Sequence, residues 1–353
     1  MISSKINSAH GFSLVEIMIG LTIGLLVLLG ITSVIVSSSN SRNEIEKVGN
    51  QIENGRYAMQ VLTDDVRLAG FFADFNPDQD PSTIKLPVEL PDVCAVDDVT
   101  LKAVVRLHTQ GYDMGSTIPS CIKDVKDKTD ILVIRRLNTC AAGKVGCEAA
   151  VNGTSYLQVT QCNDEIKKAS AVSDSTLLYN VSSKVSDLTF KKRTCAADLA
   201  DIRKYRTHIY FIANNNNDGD GMPTLKRAEL DAGAFTITPL VEGVENMQLS
   251  YGIDTDAIPG DGMPNIFAAN PEKANGCADK TCAVKNWSDV MSVNVALLVR
   301  NTQETKGYKD TKTYTLGIDD SGNAQVLGPY GDSFKRHAYT SSIQLINPAG
   351  RRE

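Results

Sequence analysis

From Ile17 to Val36 the sequence carries no charged side chain, and that run of 20 residues decides what the N-terminal part of the chain can become. At a rise of about 1.5 Å per residue, a helix of this length crosses the hydrocarbon core of a bilayer once. A secretory signal peptide and a plain signal anchor are the ordinary readings of such a run. Its surroundings argue for something else. The leader, Met1 to Gly11, is polar, holds one lysine (Lys5), and ends in glycine just before the apolar run begins; signal peptidase cuts beyond the apolar region, not ahead of it. Glu16 stands at the edge of the run, and an ionised acid at the centre of a span costs roughly 2.5–3.5 kcal/mol. Snorkelling to the interface is the bland explanation for that residue. Cleavage after Gly11 offers another, because it frees a positive amine on Phe12, a natural partner for a carboxylate four residues on or on a neighbouring chain.

The helical pattern does not stop at the membrane. Ile45, Val48, Ile52, Met59, Leu62, Val66 and Ala69 recur at steps of three and four, with Gly55 filling a missing apolar place and no breaker before Gly70. The spacing predicts one helix from Phe12 to Ala69, roughly 87 Å long, apolar all round in its first half and amphipathic in its second. Gly70 is the expected C-terminal stop.

The order Gly11, Phe12, Ser13, Leu14, Val15, Glu16 followed by an apolar span resembles the class III signal of type IV prepilins and pseudopilins. The resemblance implies that a prepilin peptidase cuts after Gly11 and methylates the new amine on Phe12, and that Glu16 pairs with a neighbour's N-terminus during assembly. Two departures stand out: the leader has fewer basic residues than many members, and no proline interrupts the apolar helix. Gly20 and Gly24 form a G-x-x-x-G spacing that lets helices approach closely, although small residues are frequent in any span.

Beyond Phe71 the pattern changes to a loop holding Pro77, Pro81, Pro87 and Pro91, then to short strand-like runs separated by Gly, Asn and Asp clusters. Strands are expected at 102–107, 130–136, 176–181, 206–213, 245–251, 289–300 and 338–346. Five segments resemble the PilW branch of minor pilins, which is related to the J-type pseudopilins of type II secretion: DVRLAGFF (65–72), HIYFIA (208–213), LKRAEL (225–230), PLVEGVENMQLSYGIDTD (239–256) and WSDVMSVNVALLVRN (287–301). The stretch from Asp74 to about Tyr205 shows nothing specific. The resemblance implies an α+β, type IV pilin-like fold: a long N-terminal α-helix packed on an antiparallel β-sheet globular domain with loop insertions. Its divisions are a leader (1–11), the helix (12–70, with 17–36 in the membrane and 37–70 amphipathic) and a β-rich domain (71–353). The implied function is that of a minor pilin at or near the pilus tip, helping to initiate assembly in support of twitching motility, adhesion or DNA uptake; a J-type pseudopilin is the alternative. The implied partners are the prepilin peptidase, other minor pilins, the major pilin, a tip adhesin and the inner-membrane assembly platform. The implied location is the inner membrane with a periplasmic globular part, then the extracellular pilus.

Eight cysteines, at 94, 121, 140, 147, 162, 195, 277 and 282, all follow the apolar run, as suits an oxidising compartment. The close pairs Cys140/Cys147 and Cys277/Cys282 are the natural bridges, and the pairing of Cys94, Cys121, Cys162 and Cys195 stays open. Tight C-x-x-C pairs for zinc are missing. Two loops carry oxygen ligands at alternating positions: Asn216, Asp218 and Asp220 within NNNNDGDGMP (214–223), and Asp254, Asp256 and Asp261 around a second GDGMP (260–264). Either suits a structural calcium ion; neither is an EF-hand, since Arg227 stands where its glutamate belongs. Asn/Asp/Gly strings are more often plain turns. No other cofactor is expected. A net charge of -6 and no dense basic stretch argue against direct nucleic-acid binding, and no nucleophile elbow, phosphate loop or H-E-x-x-H points to an enzyme.

Overall fold

The computed structural model describes residues 11, 13–78, 83–113, 115–257 and 260–352. The leader Met1–His10, Phe12 and Pro81 lie outside the described residues. The chain divides into two compact units between Asn50 and Gln51.

Helix α1 (Leu14–Arg67) begins in the first unit. It starts where Ser13 leaves its carbonyl to the amides of Glu16 and Ile17 (3.0 and 3.2 Å). Glu16 falls in the first turn, where the helix dipole favours a negative charge. The hydroxyls inside the apolar part look after themselves: Thr22 donates to the carbonyls of Met18 (3.0 Å) and Ile19 (2.9 Å), and Thr32 to Leu28 (2.7 Å). In lipid, where no water can serve a hydroxyl, such back-bonding removes the cost of carrying it. The helix ends at Arg67, three residues before Gly70, which takes the left-handed conformation (φ 66°) that a side chain disfavours.

The second unit holds the end of α1 and the rest of the chain. In order, its elements are α2 (Asp98–Ala103), β1 (Thr109–Tyr112), β2 (Ile131–Leu137), β3 (Tyr156–Val159), α3 (Asn163–Val172), β4 (Tyr179–Ser182), β5 (Ile202–Ala213), β6 (Thr224–Asp231), β7 (Ala234–Glu242), β8 (Val244–Ile253), β9 (Ile266–Ala268), α4 (Lys280–Ser288), β10 (Val290–Arg300), β11 (Tyr314–Ile318), β12 (Ala324–Leu327), β13 (Arg336–Gln344) and α5 (Ile346–Gly350). Sheet pairing is antiparallel throughout the named strands. A seven-stranded sheet is organised on β5, which bonds β2 along 205–210, β3 along 202–204 and β6 along 208–213. A four-stranded sheet has the order β13-β10-β8-β9, and β11 and β12 form a separate hairpin.

One core joins the two larger sheets to the helix. Ala58, Leu62, Val66 and Ala69 of this unit meet Leu132, Ile134, Tyr210 and Ile212 of the first sheet and Met247, Leu249, Val293 and Val295 of the second. The α+β architecture expected from the sequence is therefore present, with a helix packed on antiparallel sheet. The expected stripe is buried at Gly55, Leu62, Val66 and Ala69 but not at its start. Gln51, Gly55, Ala58, Leu62, Asp65 and Val66 are buried, while Ile45 and Ile52 are exposed. Gly55 is no gap: a Cβ there would lie 2.3 Å from the Tyr339 ring, which fills the space. Gln51 is held because its amide donates to the carbonyls of Val299 (2.7 Å) and Lys335 (2.9 Å).

The expected strand at 102–107 is also corrected. Asp97 accepts from the Thr100 amide (2.8 Å) and starts α2 there, so local capping overrides an apolar alternation too short to compete. Likewise Asp174 caps a short 3₁₀ turn at Ser175–Leu177, leaving only Tyr179–Ser182 as strand. Strands at 131–137, 202–213, 244–253, 290–300 and 336–344 match their expectations to within a few residues.

Candidate functional site

The first unit exposes what a soluble protein hides. Sixteen large apolar side chains between Leu14 and Val36 are each at least half exposed. Burying one such side chain is worth about 1.5–3 kcal/mol, so tens of kcal/mol await a lipid phase or neighbouring helices. The helix is long and apolar enough to cross a membrane. Glu16 sits at its start, one turn past Gly11, and forms no ion pair among the described residues. Gly20 and Gly24 share one face, four residues apart, and a Cβ at either would meet nothing within 4 Å. Phe12, the residue the peptidase would methylate, lies outside the described residues.

All eight cysteines are paired as neighbours in sequence: Cys94–Cys121, Cys140–Cys147, Cys162–Cys195 and Cys277–Cys282. The two close pairs are those expected, and the open positions resolve into two longer loops. Asp164 lies beside Cys162 and Cys195, but thiols spent in a bridge are not metal ligands.

The two Asn/Asp loops differ. In the first, Asp220 accepts from the amides of Asn216 (3.0 Å), Asn217 (2.7 Å) and Met222 (2.9 Å), and Asn216 donates to Glu242 (2.7 Å). Those amides, Asn217 first, hold the Asp220 carboxyl below its ordinary value. Asp218 is exposed. In the second loop, one oxygen each from Asp254, Asp256 and Asp261 falls within 4.8 Å of the others. Asp254 is buried there and accepts from the amides of Asp256 and Gly262 (both 3.0 Å) and from the Arg352 guanidinium (3.1 Å). Burial would raise its carboxyl, yet these donors hold it below the usual value. Both loops thus close around an aspartate that the chain itself satisfies, and in the second the charge already faces Arg352.

Sequence reasoning did not find the ionic groups that join distant parts of the second unit. Asp65, on the buried face of α1, accepts from Arg136 Nε (2.7 Å), His208 Nδ1 (2.6 Å) and the Tyr210 hydroxyl (2.8 Å). Burial alone would raise the Asp65 carboxyl, but His208 and Arg136 hold it well below the carboxylate range. Burial keeps His208 below its ordinary value despite Asp65, so this contact is a neutral imidazole donating to a carboxylate. Glu229 of β6 pairs with Arg206 on the neighbouring β5 and with Arg227 two residues away on its own strand. A second hub surrounds Arg336, whose guanidinium donates to Glu245 (2.5 Å), Asp310 (2.9 Å) and Asp332 (2.6 Å) and lies 3.9 Å over the Tyr330 ring. It ties the loop before β13 to the four-stranded sheet. The signal was in plain view: Asp65, His208, Tyr210, Arg227, Glu229 and Glu245 all fall inside the segments that carried the family resemblance.

Residues 209–347 match the family model of type IV pilus-assembly protein W, and residues 6–32 match that of the prokaryotic N-terminal methylation motif. Neither the curated proteins nor the solved structures returned a match. The first match covers β5 from its second half through β13, including Tyr210, Arg227 and Glu229 of the first hub and Glu245 and Arg336 of the second; the second match covers residues 6–11 of the leader, Glu16 and most of the apolar run. With an apolar helix behind a methylation motif at one end and an assembly-protein match over the sheets at the other, the chain is similar to type IV pilus-assembly protein W over residues 209–347 and to N-terminally methylated pilin-like proteins over residues 6–32.

Proposed function

We propose that this chain is a minor pilin that a prepilin peptidase releases from its leader after Gly11 and that then enters type IV pili at or near the tip, helping to initiate assembly. The observation that carries the reading is an apolar helix, exposed on all sides, with one carboxylate, Glu16, a turn beyond the cleavage junction. Before assembly the span anchors the chain in the inner membrane and the β-domain occupies the periplasm, where four disulfides form and persist. During assembly the helix exchanges lipid for neighbouring pilin helices, and Glu16 meets the amine of an adjacent subunit in a medium that strengthens the pairing. Sister minor pilins, the major pilin, a tip adhesin and the assembly platform are the partners this requires, and twitching, adhesion or DNA uptake is the activity it serves.

The test is the mass of the N-terminal peptide of the protein recovered from sheared pili. A peptide beginning at N-methylated Phe12 is the expected result; Met1 still attached, or absence from the pili, rules the reading out.

A further inference from the structure

We propose that the free edge of β13 is a docking surface that receives an extended strand from a sister pilin-like subunit. Among the described residues the β-domain has several sheet edges, and all but one are guarded: β11 is five residues long and its ladder with β12 shifts register after Thr315. β1, β4 and β12 are four residues long and β9 is three. β7 runs for nine residues but carries Pro239 and ends at Glu242, and its ladder with β6 shifts register beside Leu225. Short length, proline, charge and irregularity are the means by which sheets keep their edges from pairing.

β13 is long, regular and free of proline, and its one permanent charge, Arg336, is spent on Glu245, Asp310 and Asp332. It spans Arg336–Gln344, and its ladder with β10 runs in unbroken register from Ser292↔Gln344 to Arg300↔Arg336. After Arg336 the strand reads His-Ala-Tyr-Thr-Ser-Ser-Ile-Gln, without proline, lysine or acid. His337, Thr340, Ser342 and Gln344 are exposed. Apart from the β10 ladder, no backbone hydrogen bond among the described residues involves the strand. A flat row of N–H and C=O groups at strand spacing is complementary to one thing, another extended backbone, and an uncharged row suits an uncharged strand. A second copy of this chain would pair edge to edge about a two-fold axis and close on itself; a sister subunit with a different sequence leaves the array open to grow. The inference rests on the minor-pilin reading, which supplies the neighbours.

The experiment places a photo-crosslinking amino acid at position 340 of the full chain in its host, with position 238 on guarded β7 as control. Pili are sheared, irradiated and the crosslinked peptide sequenced by mass spectrometry. The expected product joins position 340 to a strand of another pilin-like protein, and position 238 yields none. In Thr340→Lys with Ser342→Lys the yield falls about tenfold or more while the melting temperature stays that of the parent, since both side chains face solvent. Should those lysines unfold the domain, Thr340→Glu alone serves in their place. Protein present in pili with no crosslink from 340, a crosslink to a second copy, or a yield unchanged by the lysines overturns the proposal and leaves incorporation standing. Protein absent from pili overturns the minor-pilin reading itself.

Discussion

The two units of this chain solve opposite problems. Residues 14–50 form a helix whose backbone bonds are internal and whose side chains are almost all exposed, so nearly everything it will contact is supplied by other molecules. Residues 51–353 satisfy themselves: two sheets and the end of α1 share one core, and buried carboxylates meet buried donors across long separations in sequence, 143 residues between Asp65 and His208 and 91 between Glu245 and Arg336. The first unit is incomplete by construction, the second complete by folding. Function in such a chain is concentrated where the structure leaves demand unmet.

The sharpest way to break that contrast is to change the one charge in the apolar half. Glu16→Ala should cut incorporation into sheared pili by at least about tenfold, the consequence of losing a desolvated charge pair worth roughly 1.5–3 kcal/mol. The melting temperature of the β-domain should not move. Pili that hold the variant at parental levels would mean the carboxylate has no partner in the filament.

Arg336→Met asks the reverse question of the second unit. Removing the guanidinium strands Glu245 and Asp310 with excess buried charge, and breaking such a cluster costs about 3–5 kcal/mol. Urea unfolding of the full chain in detergent reads this directly, and a loss below about 1 kcal/mol would show that the hub holds little.

His108 offers a pH test of the same unit. Burial pushes its imidazole down to about 4, with Nε2 donating to the Val290 carbonyl at 2.7 Å. The unfolded chain takes up a proton near pH 6.5, the folded protein only near 4, so this contribution is intact above 6.5 and lost as acid is added between those values. The loss approaches about 3 kcal/mol at the lower end. His108→Gln should flatten the stability profile in that window; an equally steep fall in the variant would assign the effect to other groups.

The finest comparison uses two glycines of one helix. Gly24→Ala meets open space and should leave the isolated chain as stable or slightly more so, by up to about 1 kcal/mol of helix propensity. Gly55→Ala drives a methyl into Tyr339 and should cost about 1–3 kcal/mol of overpacking, partly offset by the same propensity. Thermal unfolding that gives both changes the same sign would erase the distinction drawn here.

The same division explains what could be read from sequence. In the apolar half, length, charge placement and a glycine just ahead of the apolar run are local features, so Gly11, Glu16 and the span were visible without any fold. Long strands such as β8 and β10 were visible too, because β8 alternates apolar Met247, Leu249, Tyr251 and Ile253 with polar or small residues and β10 is a mostly apolar run, both strand signatures. The stripe of α1 was legible at Leu62, Val66 and Ala69 but not at its start, because what fills the space at Gly55 is Tyr339, and what anchors Gln51 is a carbonyl pair at 299 and 335; neither is within reach of a helical period. α2 was lost to a single cap at Asp97. The three-carboxylate cluster at Asp254 was foreseen, whereas its arginine, Arg352, sits 98 residues away.

Strands β2 and β5 are direct neighbours, yet the chain between Leu137 and Ile202 leaves and returns through an excursion holding β3, α3, β4 and two disulfides of its own, tied to β5 through the three-residue pairing of β3. Asn138 already bonds the Lys204 carbonyl (2.9 Å), so the hairpin is closed at its root whatever lies beyond. Closing a loop twice as long costs only about 0.6 kcal/mol more. The excursion can therefore lengthen, shrink or change its face at almost constant expense to the ladder beneath it, which makes this flank the part of the head free to diversify while the seam with the helix stays fixed.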